Sequence, residues 1–316
     1  MGVYGFVVDS KQIDKVSNVI RHVPITPNSF LDPNYYPDVN VDAEYVARYF
    51  LVMVAMDHRL SRPRKPYEAL IDGVKYHGAD LLYKLGMLRF NEDPEFYSPK
   101  RLSNIKVEDV IAWLSVGDVK PPDPQVRTLI LRDLGFKLLK LYNGNVLKLL
   151  KSSKGLLKGL GEGFIDRLKV FIAYQDPVEK KPYLLVKFLE RRGLLKVKDI
   201  ENLEVPVDNH LSRIALRLGI VRVSKTLLEK IKGRKEFSWW EDVMLRLTIR
   251  QSYKILSSKT KINPLILDDV LWSLGRKYCT IDEPKCDNCI FKSVCIAHEN
   301  PYYMMPEHNY FNTWYY

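Results

Sequence analysis

What the sequence lacks argues first against a membrane protein. Its longest apolar run, about Tyr49 to Met56, is far shorter than the roughly 20 residues that a membrane-spanning helix needs. Asp9 and Lys11 lie within the first dozen residues, where a signal peptide would have its apolar core. Phe6 stands where N-myristoylation requires Ser or Thr. We therefore expect a cytoplasmic, nucleoid-associated protein with no membrane partner.

Strand signals are few, and no repeat of 20–50 residues is present. Apolar residues make up 46% of the 316 residues, which is enough for a packed core. Apolar side chains recur at helical spacing along most of the chain, and only residues 4–9 alternate weakly, as a short strand would. The sequence predicts an all-α protein with helices over 42–58, 79–88, 107–115, 126–141, 146–150, 164–173, 182–191, 209–218, 224–231, 242–256 and 264–274.

Negative charge is scarce in one block of the chain. The net charge is +11, but residues 125–200 alone carry +10, against −2 for residues 1–124 and +3 for residues 201–316. Such a concentration is typical of proteins that bind a polyanion, because Lys and Arg displace counterions from phosphates. The alternative is a set of solvated basic helix faces.

Cysteines are absent except between Cys279 and Cys295, where all four follow the spacing C-x6-C-x2-C-x5-C, with Cys286 and Cys289 between. A chain of this length without a signal peptide does not need disulfides, so the spacing favours metal ligation. A [4Fe–4S] cluster is commonly held by four cysteines, whereas structural zinc usually has two separated C-x2-C pairs. Zinc and free thiols remain alternatives.

This cysteine spacing resembles the iron–sulfur loop of the endonuclease III branch of the helix-hairpin-helix DNA glycosylases. The resemblance implies a [4Fe–4S] cluster that does not catalyse the reaction but braces a basic loop against DNA. Lys285 and Lys292 lie inside that loop and would contact DNA.

The segment 205–214, VPVDNHLSRI, resembles the "VDTH…R" element of the same superfamily. Asp208 is well suited to cap a helix, since its carboxylate can accept the unpaired N–H groups of the first turn. The resemblance implies that it is also the catalytic carboxylate. Breaking an N-glycosidic bond builds positive charge at the sugar C1′, which a fixed carboxylate stabilises.

Glycines at 159, 161 and 163 form a segment, LKGLGEG over 157–163, that resembles the hairpin of this superfamily. Glycine lets the backbone turn tightly and approach a phosphate. The resemblance implies DNA contacts by Lys154, Lys158, Gly159, Gly161 and Gly163; the alternative is a plain turn.

The family's bifunctional members place a lysine just after the hairpin, where this chain has Glu162. The segment 180–189, KKPYLLVKFL, instead resembles a later helix of the archaeal 8-oxoguanine DNA glycosylases, whose lysine nucleophile corresponds to Lys180. Lys181 and Lys187 are the alternatives for that role. The other interpretation is that Lys180 and Lys181 are exposed lysines that bind phosphate.

A second resemblance is to the queuosine salvage glycosidases, from Tyr76-His77-Gly78 to Gly233 and including Tyr142-Asn143-Gly144-Asn145. It implies the same fold without an iron–sulfur loop, an activity on a free modified nucleoside or nucleotide, and the same Asp208 with a lysine near Lys180. Asp57-His58-Arg59 ends a helix, where polar side chains either cap the helix or read a base edge.

Together these features predict an all-α helix-hairpin-helix glycosylase fold, with two helical parts flanking a cleft and an iron–sulfur loop. The predicted parts are 1–124, a basic catalytic part over 125–256, a closing helix and cluster loop over 257–300, and an aromatic tail over 301–316. We expect a monomeric DNA glycosylase, with or without lyase activity, that excises a modified or damaged base flipped out of double-stranded DNA. The alternatives are a salvage N-glycosidase on a free nucleotide or RNA, and a binding protein without chemistry.

Overall fold

The computed structural model describes residues 5–61 and 65–316 and is mostly helical, as the sequence predicts. The helices are α1 Ser10–Ile20, α2 Ala43–Met56, α3 Ala79–Glu92, α4 Pro99–Leu102, α5 Val107–Leu114, α6 Pro124–Tyr142, α7 Val146–Ser152, α8 Phe164–Leu168, α9 Lys180–Arg191, α10 Asn209–Leu218, α11 Lys225–Lys232, α12 Trp239–Thr260, α13 Pro264–Lys277 and α14 Ile296–Glu299. Within the described part of the chain, no helix is both long and apolar enough to cross a membrane.

The structure also contains two short antiparallel strand pairs, which the expected all-α fold did not include. Strand β1, Phe6–Val8, pairs with β4, Val221–Val223, near the strand expected over residues 4–9; Tyr4 lies outside the described residues. Strand β2, Glu68–Ile71, pairs with β3, Val74–His77, through Asp72 (φ 50°) and Gly73 (φ 77°). Two positive φ angles match a type I′ turn, for which Asp-Gly is a strong signal that the sequence analysis missed.

The structure divides into two compact units that differ from the predicted parts. The first unit comprises the chain up to Asn28 together with Leu203–Asn312, and the second comprises Ser29–Asn202 together with Thr313–Tyr316. The proline-rich segment at 121–124 is therefore not a boundary. Pro124 occupies the first turn of α6, where a missing N–H costs nothing, and α6 packs against α2, α4 and α5.

Each unit has its own apolar core. In the first unit, α10 packs against α12, α13 and α14, and α1 packs against α12; the core includes Leu211, Ile214, Ile249 and Leu271. In the second unit, α2 is buried all round from Val46 to Met56 and packs against α3, α6, α7 and α9. A helix that is apolar on nearly every side belongs at the centre of a domain, so the polar contacts of α2 itself lie mainly towards its two ends.

Candidate functional site

Asp208 begins α10 in the first unit, at the position that the sequence predicts. Its backbone is extended, and its Oδ1 accepts a hydrogen bond from the N–H of Leu211 at 2.9 Å. The helix ends at Gly219, whose φ of 80° suits glycine. The Asp208 side chain is 18% exposed. The carboxylate is thus fixed by a helix N-terminus and remains accessible from solvent.

His210 lies beside this carboxylate. Its Nδ1 is 3.4 Å from Asp208 Oδ2, and its side chain is 41% exposed. Desolvation lowers the pKa of His210, but the hydrogen bond to Asp208 and the charges of Asp208 and Glu307 outweigh this effect and raise the pKa above its ordinary value. A protonated His210 therefore pairs with the charge of Asp208.

Two arginines on the same helix hold the cysteine loop. Arg213 donates to the carbonyl oxygens of Gly275 and Cys279, each at 2.9 Å. Arg217 donates to the carbonyl oxygens of Thr280 and Ile281 and contacts Cys279 Sγ at 3.4 Å. Both arginines are about 99% buried. The α10 helix therefore links the Asp208 carboxylate to the cysteine loop through its own side chains.

The four cysteines line one small cavity of about 20 Å³, together with Ile214, Arg217, Leu218 and Leu274. Burial raises the pKa of Cys289 to about 11, so the free thiol is protonated at neutral pH and a metal would have to displace the proton. Among residues 5–61 and 65–316, no three His, Cys, Asp or Glu side chains are arranged to hold a metal ion. Tetrahedral zinc would need its sulfurs about 3.8 Å apart.

Lys285 and Lys292, predicted to contact DNA, are both exposed in the cysteine loop. The ammonium of Lys292 pairs with Asp287 at 2.7 Å, with both side chains largely in water. Exposed pairs of this kind contribute little to stability, so either lysine can exchange its present surroundings for a phosphate at small cost.

Lys180 is the first residue of α9 in the second unit. The helix was expected to begin at Pro182, but it begins two residues earlier and includes both lysines. The Lys180 ammonium contacts Asp57 Oδ2 at 3.1 Å and the Asp57 carbonyl at 3.3 Å. The Lys180 side chain is 8% exposed and that of Asp57 is 15% exposed. Asp57, at the end of α2, thus pairs with the predicted nucleophile.

Lys181 is completely buried. Its ammonium donates to the carbonyl oxygens of Ala55 and Trp314, the latter at 2.6 Å, and contacts His58 Nδ1 at 3.2 Å. Burial and the nearby charge of Lys180 lower the pKa of Lys181 well below its ordinary value. Because Lys181 Nζ already has three protein hydrogen-bond partners and is buried, it is poorly placed to attack a substrate.

Cations surround the C-terminus of α2. Arg127 donates to the carbonyl oxygens of Met56 and His58, while Lys180 and Lys181 bind those of Asp57 and Ala55. A helix C-terminus is the negative end of its dipole. Stabilisation of the C-terminus of α2 therefore gives a structural reason for the burial of Lys180 and Lys181 that requires no catalytic role for them.

His58 and Lys187 complete this side of the second unit. His58 is 2% exposed, and its Nε2 has no hydrogen-bond partner in the described structure. Burial and the charges of Arg127 and Lys181 lower the pKa of His58, so its ring is neutral. Lys187, the last alternative nucleophile, is buried over the ring of Phe30 at 5.4 Å.

The predicted hairpin joins α7 to α8, which gives a helix–hairpin–helix arrangement. Gly159 and Gly161 have φ angles of 154° and 85°, and Leu160 between them is fully exposed. A Cβ on Gly163 would lie within 2.5 Å of backbone atoms of Leu157 and Lys158. Glycine is thus required at 163 by packing and at 159 and 161 by backbone conformation.

Carboxylates already occupy several hairpin donors. The N–H groups of Leu157 and Lys158 donate to Asp199 at 2.8 and 3.1 Å, and that of Gly159 donates to Asp166 at 2.9 Å. The Lys158 ammonium pairs with the buried Glu179 at 2.7 Å. These donors are those that a phosphate would need, so the hairpin is less open to DNA than its sequence suggests.

Lys154, by contrast, is exposed, as are Lys151, Lys196 and Lys198. Lys198 lies at the base of the hairpin, where its N–H donates to the carbonyl of Gly155. The +10 block therefore divides into a buried part, which includes Arg127, Lys180, Lys181 and Lys187, and an exposed part near the hairpin.

Sequence reasoning missed most partners of these residues. The Arg213 and Arg217 pair had a detectable signal, since both lie one turn apart on the helix that Asp208 begins. The partners of Lys181 had none: Ala55 and Trp314 contribute backbone carbonyls from residues 126 and 133 positions away in sequence.

Comparisons with known proteins agree with one of the predicted resemblances. A family model described as queuosine salvage protein matches residues 39–291, a range that includes Asp57, Lys180, Asp208 and three of the four cysteines. A search of curated proteins gives no match.

Two solved structures are similar at 13% sequence identity. A non-covalent endonuclease III–DNA complex gives a TM-score of 0.49, covering 93% of this chain and 99% of that one. A trapped endonuclease III–DNA covalent intermediate gives 0.46, covering 92% and 95%.

Proposed function

The chain belongs to the queuosine salvage protein family, and we propose that it is an N-glycosidase that hydrolyses the base–sugar bond of a free queuosine-type nucleoside or nucleotide. The observation that carries the proposal is the family match over 39–291. Asp208 supports it, because a carboxylate fixed at a helix N-terminus and open to solvent suits this chemistry.

The reaction breaks the bond between C1′ and the base nitrogen, and the bonding electrons leave with the base. Asp208 stabilises the positive charge that develops at C1′. It also accepts a proton from the attacking water, whose oxygen bonds to C1′. The departing base takes up a proton, so the products are the free base and the sugar or sugar phosphate.

Lys180 acts in this proposal as a charged partner of Asp57 rather than as a nucleophile. An amine attacks carbon through a free lone pair, whereas Lys180 Nζ contacts Asp57 Oδ2 at 3.1 Å and the Asp57 carbonyl at 3.3 Å. The expected enzyme is therefore a hydrolase without a Schiff-base intermediate. Borohydride should trap no covalent adduct, and a trapped adduct that disappears in Lys180→Gln would restore the lyase mechanism.

The direct test is a substrate panel. The protein is incubated with queuosine, with its 5′-monophosphate and with duplex oligonucleotides that each carry one damaged base, and the release of free base is followed by chromatography. The proposal requires base release from the nucleoside or the nucleotide. Release only from oligonucleotides would contradict it.

We also propose that Cys279, Cys286, Cys289 and Cys295 hold a [4Fe–4S] cluster. Their position around one cavity supports this, as does their C-x6-C-x2-C-x5-C spacing. Because Arg217 joins this loop to α10, the cluster would brace the helix that carries Asp208.

Metal analysis tests the cluster. Protein purified without oxygen should be brown, absorb at about 400 nm and contain about four irons and four sulfides per chain. Cys279→Ser should lower the iron content and the unfolding temperature together. One zinc per chain with no iron or sulfide would contradict the cluster.

DNA glycosylase activity is a second candidate, favoured by the exposed lysines beside the hairpin. Lys151, Lys154 and Lys198 are exposed and could contact phosphates. If they do, the affinity for duplex DNA should fall steeply with salt, and changing all three to Glu should weaken binding to every sequence.

A matched control changes three exposed lysines of the first unit, Lys11, Lys15 and Lys261, to Glu, with the same change in net charge. Equal weakening by both triple variants would indicate a general charge effect. Weakening by the hairpin set alone would favour a DNA substrate.

A further inference from the structure

A carboxylate from outside the hairpin binds two of its consecutive N–H groups. Asp199 accepts from the N–H of Leu157 through both oxygens, at 2.8 and 3.0 Å, and from the N–H of Lys158 at 3.1 Å. The side-chain amide of Asn202 donates to the same carboxylate at 2.8 Å. Asp199 is 7% exposed, so these contacts are shielded from water.

Asp199 is a charged ligand of the hairpin at neutral pH. Burial alone would raise its pKa, but the hydrogen bonds from Asn202, Leu157 and Lys158 outweigh burial and lower the pKa. Adjacent backbone N–H groups that converge on one anion form a concave site of the kind that binds phosphate. In this chain the two oxygens of Asp199 fill that site.

A second carboxylate occupies the next N–H group of the same turn. Asp166, in α8, accepts from the N–H of Gly159 at 2.9 Å. Gly159 is exposed, and apart from its chain neighbours no atom of the described residues lies within 4 Å of where a Cβ would stand. This donor is therefore occupied by Asp166 and is not closed off by packing.

The hairpin lysine is also turned towards the protein. Lys158 Nζ donates to Glu179 at 2.7 Å, and Lys169 binds the other oxygen of that carboxylate at 3.0 Å. The Glu179 side chain is 5% exposed, whereas that of Lys158 is 32% exposed. A buried charge that loses its partner is strongly destabilised, so Glu179 keeps Lys158 from turning to a phosphate in solution.

A close approach of two backbone segments brings Asp199 to the hairpin. The N–H of Lys198 donates to the carbonyl of Gly155 at 2.9 Å, and a Cβ on Gly155 would lie 2.7 Å from the carbonyl oxygen of Lys196. The N–H of Asn202 donates to the Asp199 carbonyl at 2.9 Å and closes a turn there. The position of this carboxylate is thus set by the backbone on both sides of it.

We propose that Asp199 and Asp166 are specificity-determining residues that exclude a nucleic-acid phosphate from the hairpin. A phosphodiester would have to break three N–H contacts, and it would then lie beside two charges of its own sign. The exposed Lys154 and Lys198 remain, but such lysines alone supply only salt-sensitive attraction. This inference rests on the proposed function, since it explains how a chain with this hairpin acts on a free nucleotide.

The test measures binding of the full-length protein to a short undamaged DNA duplex by fluorescence anisotropy at several salt concentrations. Asp199→Asn and Asp166→Asn keep the size of each side chain and remove its charge. We expect each to tighten binding by about 10-fold, at the lower end of the range for a hydrogen bond to a charged group. The salt dependence should steepen by about one counterion for each phosphate gained. Unchanged affinity in both folded variants would overturn the proposal.

Asp72→Asn is the matched control in the same unit. Asp72 is exposed in the turn between β2 and β3, and Asn-Gly suits that turn as well as Asp-Gly, so the variant removes one negative charge and keeps the fold. Its DNA affinity should equal that of the wild type. A gain as large as that of the hairpin variants would indicate a general charge effect and would also overturn the proposal.

Amide NMR spectra locate the bound phosphate. DNA should shift the signals of Leu157, Lys158 and Gly159 in the variants and leave them unchanged in the wild type; shifts in the wild type would overturn the proposal. If Asp199→Asn does not fold, the partly exposed Asp166 gives the deciding variant. Base release is measured separately, so a wild type that releases no base from the nucleoside or the nucleotide overturns the proposed function, whereas DNA binding by the variants decides this inference.

Discussion

Helices α9 and α10 both begin at candidate site residues, but their first turns are stabilised in opposite ways. Asp208 places a negative charge at the positive end of α10, and its carboxylate satisfies the N–H of Leu211 within the same turn. Lys180 and Lys181 place positive charges at the same end of α9, where the helix dipole opposes them. Their stabilisation comes from Asp57, Ala55 and Trp314, all distant in sequence.

The difference shows that the Asp208 carboxylate is held by residues next to it in sequence, whereas Lys180 and Lys181 are held by residues that only the tertiary fold brings close. α10 supplies its own cap and needs only the sequence around Asp208. The lysines of α9 are held because the C-terminus of α2 presents its carbonyl oxygens to them. The negative end of the α2 dipole thus attracts the same charges that the positive end of the α9 dipole repels. Substitutions at the two helix starts should therefore affect different properties.

The largest expected effect follows from Asp208→Asn. The amide can still cap α10, but it lacks the charge that stabilises positive charge at C1′. We expect base release to fall by about 100- to 1,000-fold, the range for loss of a preorganised group, with little change in unfolding temperature. Asp9→Asn, which alters the capping carboxylate of α1 in the same unit, is the control and should leave the rate unchanged. Full activity in Asp208→Asn would contradict the mechanism.

Lys181→Met should affect stability instead. It leaves two backbone carbonyls and His58 without their donor, and we expect a loss of about 3 kcal/mol in the free energy of unfolding. In the wild type the native pKa of Lys181 is lowered, so the unfolded state binds more protons between that pKa and about 10.4. Stability should therefore rise with pH through this window, and chemical denaturation should show that Lys181→Met loses the rise. An equally stable variant would show that these contacts contribute nothing.

Deletion of Thr313–Tyr316 tests the third acceptor of the lysine site. It removes the Trp314 carbonyl from Lys181, the Tyr316 carbonyl from the N–H of Arg59 and the Trp314 indole from the Ile172 carbonyl. We expect about 3 kcal/mol lower stability, from three hydrogen bonds near 1 kcal/mol each. Trp314→Phe keeps the carbonyl and loses only the indole donor to Ile172, so it should cost about a third as much. If the deletion does not change the free energy of unfolding, the contacts of residues 313–316 with Lys181 and Arg59 contribute nothing to stability.

The smallest effect is expected from His210→Asn. The pKa of His210 is raised by Asp208, so His210 is protonated at low pH and competes for the carboxylate. Activity of the wild type should rise as pH increases through that pKa. The variant should retain activity to lower pH, with a gain of about 2- to 5-fold on the acid side, within the range of a partly exposed ion pair. Identical pH profiles would show that His210 does not oppose the substrate.

The sequence by itself determined the features that depend on neighbouring residues. The α10 helix begins after Asp208 and ends at Gly219 because capping and a positive φ are properties of one turn. The clustering of the cysteines follows from their spacing in one loop. Only the tertiary structure decided which basic residues are exposed, because burial of Arg127 and Lys181 depends on the carbonyl oxygens at the end of α2. It alone also left the Tyr83 hydroxyl without a hydrogen-bond partner among the described residues, since no sequence pattern specifies which polar groups a fold leaves unpaired.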